Sequence, residues 1–150
     1  MSLTIAATHG DQVLKTFILF VETGKAASKT VDSQLRKAQR LSMAKYLALM
    51  AVAEAGGRVT PSELAERSNT KRHNITTLVD RLKRQRLVTT RRSARDRRSI
   101  EVILTDKGRQ ALRQAKPAAR AAVHHLMRGI DGNDAIRLKM YLESVGSNIG

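Results

Sequence analysis

Apolar residues recur along the chain at two different periods, and the switch between them outlines its elements. Over residues 11–37, Val13, Leu14, Phe17, Ile18 and Val21 fall at i, i+1, i+4, i+5 and i+8, the stripe of one helix face. The stripe resumes more thinly at Val31 and Leu35, past Gly24, which weakens the helix by about 1 kcal/mol relative to alanine and is expected to mark a bend. A second helix opens after Leu41 with Ser42 as its N-cap, Tyr46, Leu47, Met50 and Ala53 as its core face, and Gly56-Gly57 as its end. Arg58 and Val59 form a short extended bridge. Thr60-Pro61-Ser62-Glu63 then reads as a helix start: proline keeps Thr60 out of the helical region, suits the first helical position itself, and leaves Glu63 placed for a capping box. This short helix turns Leu64 and Ala65 inward and ends near Ser68-Asn69, where Asn69 tolerates a left-handed turn conformation.

From Lys71 or Arg72 to Gln85, Ile75, Leu78, Val79 and Leu82 lie at i, i+3, i+4 and i+7 and predict a helix buried on that side. The period then shortens to two. Residues 87–92 and 99–104 read as strands, and in the second Ile100, Val102 and Leu104 alternate with Ser99, Glu101 and Ile103. Thr105 caps a long helix with Asp106 at its positive end. Pro117 predicts a kink or break near Lys116, because a proline removes one helical hydrogen bond. Asp131-Gly132-Asn133-Asp134 starts a last helix whose apolar content is Ile136, Leu138, Tyr141, Leu142 and Val145. The expected fold is mainly α with a small β-wing, a single domain over residues 1–150.

Charge changes this picture from a helical domain into a candidate polyanion binder. The formal net charge is +15 and the pI about 11.2, a balance that favours nucleic acid or an acidic membrane surface. The excess is local: residues 58–120 hold 18 Lys/Arg against 6 Asp/Glu, whereas residues 121–150 hold 3 of each. No run approaches the ~20 apolar residues of a membrane span, and no secretory leader pattern is visible at Met1, so a cytoplasmic protein is expected. The absence of cysteine removes disulfides, thiolate metal sites and thiol-based sensing. His9, His73, His124 and His125 have no metal-ligand spacing, and no phosphate loop or nucleophile motif is present. No metal, cofactor or catalytic residue is expected.

Two short helices followed by a basic two-stranded wing form a device for holding duplex DNA. The second helix of such a pair fits the major groove, where polar side chains on its first turns reach base edges. Here those turns supply Lys71, Arg72, His73, Asn74, Thr76 and Thr77. Behind them come Arg81, Arg86, Arg91, Arg92, Arg95, Arg97 and Arg98, together with Lys83 and Arg84, opposed between residues 81 and 98 by Asp96 alone. A merely solvated surface mixes both signs, so this density points to phosphate contacts. Asp96 can hold one guanidinium by a forked pair, and an arginine at a loop tip suits a narrow minor groove.

The stretches TPSELAERSNTKRHNITTLVDRLKRQRLV and ARDRRSIEVILTDKG, above all Asp96-x-Arg98 followed by Leu104-Thr105-x-x-Gly108, resemble those of the MarR family of winged helix-turn-helix transcriptional regulators. The resemblance covers nearly the whole chain. It implies a winged helix-turn-helix core over residues 41–104 and N- and C-terminal dimerisation helices over 11–40 and 105–150. It also implies a homodimer on a pseudo-palindromic operator, more often a repressor than an activator, with Arg98 entering the minor groove and Asp96 orienting it. Three positions depart from the family pattern. Arg86 stands where glycine is usual, at a cost of about 1 kcal/mol or more if its backbone is left-handed. Lys71 replaces the usual hydroxyl N-cap, which shifts the expected cap to Thr70, and Ser68 and Thr70 replace apolar residues.

The resemblance further implies that many relatives bind phenolic or other aromatic compounds near the dimer interface. Candidate contacts for such a ligand here are Phe17, Phe20, Tyr46, Met50 and His125, each of which is more simply a core or interface residue. Two rival readings use the same charge differently: a basic nucleic-acid-binding or architectural protein without sequence preference, and an RNA-binding winged helix. The polar and varied start of the Arg72 helix separates them, since a purely electrostatic binder does not need it.

Overall fold

The computed structural model describes residues 10–68, 70–94 and 99–149. Its elements run α1 (Gln12–Gln39), α2 (Met43–Glu54), β1 (Arg58–Val59), α3 (Pro61–Arg67), α4 (Arg72–Arg84), β2 (Val88–Arg92), β3 (Ile100–Leu104), α5 (Asp106–Leu126) and α6 (Gly132–Ser147), the order the sequence predicts. The three strands form one antiparallel sheet in the order β1-β3-β2. Val59 and Val102 pair across β1 and β3, and Val88 and Leu104 across β2 and β3, so the buried face of the sheet is built from register-matched valines and a leucine.

The predicted caps are in place. Thr60 Oγ1 accepts from the Glu63 backbone N–H at 3.2 Å while Glu63 accepts from the Thr60 N–H at 2.7 Å, with Pro61 at the first helical position. Ser42, Thr105 and Asp131 each accept from the backbone N–H three residues on. The start of α4 differs from expectation. Lys71, extended and without a side-chain bond, occupies the cap, and Thr70 instead donates from its hydroxyl to the Ser68 carbonyl at 2.9 Å. Asn69 lies outside the described residues.

α2 sits at the centre, in contact with α1, β1, α3, α4, β3 and α5. Its predicted core face is incorrect. Ala48, Leu49, Ala51 and Val52 are buried, Tyr46, Met50 and Ala53 are half-buried, and Leu47 is 45% exposed. The helix is apolar nearly all round, so spacing could not select a face; the neighbours on several sides did. Along α1 the opposite problem arises. The thin stripe at Val31 and Leu35 is buried against α5, whose Ala115, Ala119 and Ala122 allow close approach, while Val13 is 80% and Phe17 54% exposed. Gly24 lies within an uninterrupted helix. Pro117 does not break α5; it lies with Arg113, the residue whose carbonyl loses its donor, on the exposed side, where water can replace the bond. α6 contributes no buried residue, and its apolar side chains Ile136, Tyr141, Leu142 and Val145 all face outward.

Candidate nucleic-acid interface

Ile75, Val79 and Leu82 are buried and fix the roll of α4, with Leu78 packed half-buried beside them. That roll leaves Arg72, His73, Asn74, Thr76 and Thr77 exposed, with Lys71 exposed just before them. At ~100° per residue, His73, Thr77, Asp80 and Arg84 lie opposite the buried stripe. Asn74, Thr77 and Arg81 turn toward α2 and line, with Ala44, Leu47 and Thr70, a cleft of about 460 Å³. The predicted base-reading residues therefore divide between an outward ridge and one side of a groove. Thr76 donates back to the Arg72 carbonyl at 3.4 Å.

The corner between α4 and β2 is built on Arg86, whose φ of 59° is left-handed. The Arg86 N–H donates to the Lys83 carbonyl and the Leu87 N–H to the Leu82 carbonyl, closing the helix. Thr105 Oγ1 lies 2.8 Å from the Arg86 carbonyl and 3.0 Å from that of Leu87, and Lys107 Nζ donates to the Gln85 carbonyl at 2.9 Å. The glycine that the resemblance implies at this corner is thus replaced by an arginine held by the start of α5, with its side chain exposed beside Lys83 and Arg84.

On the wing, Arg92 is exposed, whereas Arg91 is engaged: its Nε donates to Glu101 Oε2 at 3.1 Å across the strand pair. Glu101 escaped the sequence reading because it falls three residues beyond the arginine run; the opposed registers of β2 and β3 were the signal that could have found it. Lys45 on α2 was missed as well. Its ammonium donates to Gln85 Oε1 at 2.8 Å, and its pKa is lowered by burial first and then by the charges of Arg81 and Arg36. The basic field therefore continues from α4 onto α2. Arg95, Asp96, Arg97 and Arg98 lie outside the described residues.

A model of the MarR family matches residues 41–99, which span α2, β1, α3, α4 and β2 and stop short of β3. The chain is 25% identical over 147 residues to the transcriptional repressor MprA of Escherichia coli strain K12, covering 96% of this chain and 84% of MprA. Over residues 41–99 this chain is similar to the MarR family. It is also 40% identical over 78 residues to the HTH-type transcriptional repressor YetL of Bacillus subtilis strain 168, over 51% of this chain and 47% of YetL. The fold is that of the MarR-family regulator Sco3205 of Streptomyces coelicolor, solved in complex with DNA, with a TM-score of 0.85 at 23% identity over 89% of this chain and 85% of that one.

The residues considered for an aromatic ligand do not form one site. Tyr46 and Met50 line a cavity of about 220 Å³ with Ala53, Glu54, Leu112, Arg113 and Lys116, between α2 and α5. Burial there raises the pKa of the Tyr46 phenol. Phe17 and Phe20 lie 6.5 Å apart between ring centroids on the exposed half of α1, and His125 is exposed on the last turn of α5; none of the three lines that cavity. No described helix is long and apolar enough to cross a membrane.

Proposed function

We propose that this chain is a sequence-specific DNA-binding transcriptional regulator, acting as a repressor on a pseudo-palindromic operator bound by a homodimer in the cytoplasm. The observation that carries the reading is the start of α4. Its polar, varied side chains stand exposed on a helix anchored by Ile75, Val79 and Leu82, within the segment that holds the basic excess. Arg72 donates to guanine, Asn74 pairs with adenine and Lys71, His73, Thr76 and Thr77 supply further base or phosphate contacts. Arg81, Arg86, Arg91 and Arg92, with the wing residues Arg95, Arg97 and Arg98, neutralise phosphates, and Asp96 orients Arg98. MprA and YetL bear the name of transcriptional repressor, and Sco3205 is seen with DNA, which supports the same role here. A binder without sequence preference is less favoured, because charge alone would leave the composition of the α4 start unconstrained. The chain's chemistry is binding, not catalysis.

Dimerisation is assigned to α1, α5 and α6, whose exposed apolar side chains find no partner within one described chain. The apolar cavity at Tyr46 and Met50 has room for a single-ring compound and is the place proposed for a small aromatic effector.

The test is selection of duplexes from a randomised library by the full chain, followed by titration of the selected duplex over a salt series. An inverted-repeat consensus, with log affinity falling steeply with log salt, is expected. Arg98→Ala is expected to lower affinity strongly, and Arg72→Ala to change base preference at one position of each half-site. Enrichment of no consensus would overturn the specific reading, and equal affinity for single strands and RNA would overturn duplex recognition.

A further inference from the structure

In the pairing of β2 with β3, Arg91 stands opposite Glu101. Side chains alternate across a strand, so this pair lies on the sheet face opposite the buried Val88, Leu104 and Val102. Arg91 donates from Nε to Glu101 Oε2 at 3.1 Å, and the second carboxylate oxygen, Oε1, accepts from the hydroxyl of the buried Ser93 at 3.4 Å. Ser93 in turn donates its backbone N–H to the Ser99 carbonyl at 2.9 Å, closing the base of the wing. The two partners differ in exposure: the Glu101 side chain is 15% exposed and that of Arg91 52%. The carboxylate is seated in the sheet and the guanidinium projects from it.

The donor atom decides what this pair can do. A guanidinium presents five N–H groups in a planar fork. The Nε side is taken by Glu101, and among the described residues neither Nη of Arg91 has a further acceptor. The end-on pair of Nη groups is the edge that matches two phosphate oxygens. We propose that Glu101 is a positioning residue that fixes Arg91 so that its Nη fork meets a phosphate of bound duplex at the base of the wing. The inference rests on the DNA-binding reading above. It assigns a function to a carboxylate whose charge alone would oppose that binding.

The sign of that opposition makes the proposal testable. Removing an unused carboxylate from a DNA-facing surface raises affinity, whereas removing a positioning carboxylate lowers it. The full chain carrying Glu101→Ala, Arg91→Ala, both, or Glu101→Gln is titrated with the selected duplex over a salt series. Thermal melting of each variant reports folding. Glu101→Ala is expected to weaken binding roughly threefold or more when Arg91 is present, and to leave it equal or tighter when Arg91 is alanine. Glu101→Gln, which keeps one acceptor oxygen, should fall between wild type and Glu101→Ala. Arg91→Ala should reduce the salt slope by about one. Binding by Glu101→Ala at least as tight as wild type, or an equal loss in both Arg91 backgrounds, overturns the proposal. If Glu101→Ala does not fold, Glu101→Gln in the two Arg91 backgrounds decides by the same coupling. Wild-type chain that binds no duplex overturns the functional reading and this inference with it; wild-type binding without coupling overturns the inference alone.

Discussion

The α-carbon of Gly108 packs directly beneath the carbonyl of Leu87, so that a Cβ built there would overlap the carbonyl oxygen and come within 2.7 Å of Leu104 Cδ1. The same carbonyl accepts from the Thr105 backbone N–H at 3.2 Å and lies 3.0 Å from the Thr105 hydroxyl. Gly108 is therefore the residue that lets the first turn of α5 close over the corner between α4 and β2. Gly108→Ala is expected to destabilise the chain by about 2–3 kcal/mol, the scale of overpacking against an immobile backbone. Gly24 is the control: it is helical and exposed and meets nothing within 4 Å, so Gly24→Ala should stabilise by about 0.5–1 kcal/mol. Chemical denaturation at neutral pH measures both, and a Gly108→Ala midpoint equal to wild type would remove the steric account.

Arg86 separates stability from binding. Its left-handed backbone costs a β-carbon-bearing residue about 1 kcal/mol that glycine does not incur, and glycine's greater unfolded-state freedom returns part of that difference. Arg86→Gly is expected to leave stability equal or slightly higher while lowering duplex affinity and reducing the salt slope by about one. A variant that lost stability and kept its affinity would show that the side chain serves the fold.

Two carboxylates set an acid limit on stability. Glu63 is held below the ordinary carboxylate range by the Thr60 backbone N–H and then by the Thr60 hydroxyl. Asp32 is lowered by its bond to Arg36 and then by the Met43 backbone N–H, which joins α1 to the first turn of α2. A folded pKa below the unfolded value means that stability is present above the unfolded pKa and is lost as pH falls through the ordinary range toward the folded value. Unfolding midpoints should therefore fall below about pH 4–5 in wild type. The decline should be shallower in a chain carrying Glu63→Gln and Asp32→Asn. Parallel pH profiles for the two chains would contradict the assignment.

The apolar faces left open on α1 and α6 predict the state of assembly. Phe17 and Leu142 are exposed in the single chain, and each is expected to be covered in the homodimer. Phe17→Glu and Leu142→Glu should shift the chain toward monomer in sedimentation velocity. Helical content should be retained, and binding to an inverted repeat should weaken more than binding to a half-site. A chain that sediments as a dimer after both substitutions would place the interface elsewhere.

Local pattern was enough for much of this. The capping box of Thr60 and Glu63, the Ser42, Thr105 and Asp131 caps, the buried side of α4 and the period-two strands all rest on neighbours within a few residues, and they were legible in the chain. The concentration of charge in one segment was legible for the same reason, whereas Arg86 stood out only against the glycine implied by the resemblance, and its left-handed backbone is a finding of the structure. The opposite held wherever a partner lies far along the chain. α2 is apolar on nearly every side, so only the helices and strands around it selected Ala48, Leu49, Ala51 and Val52 for burial. Strand register, a property of two segments together, brought Glu101 to Arg91. Gly108 stands out in sequence as part of a motif, yet its reason is the carbonyl of Leu87, 21 positions earlier. By itself the sequence determined which elements form and where charge lies, because helix caps, periodicity and composition act locally. The tertiary structure decided which faces are buried and that Arg91 is paired with a carboxylate seated in the sheet, because those depend on packing between segments that no local pattern encodes.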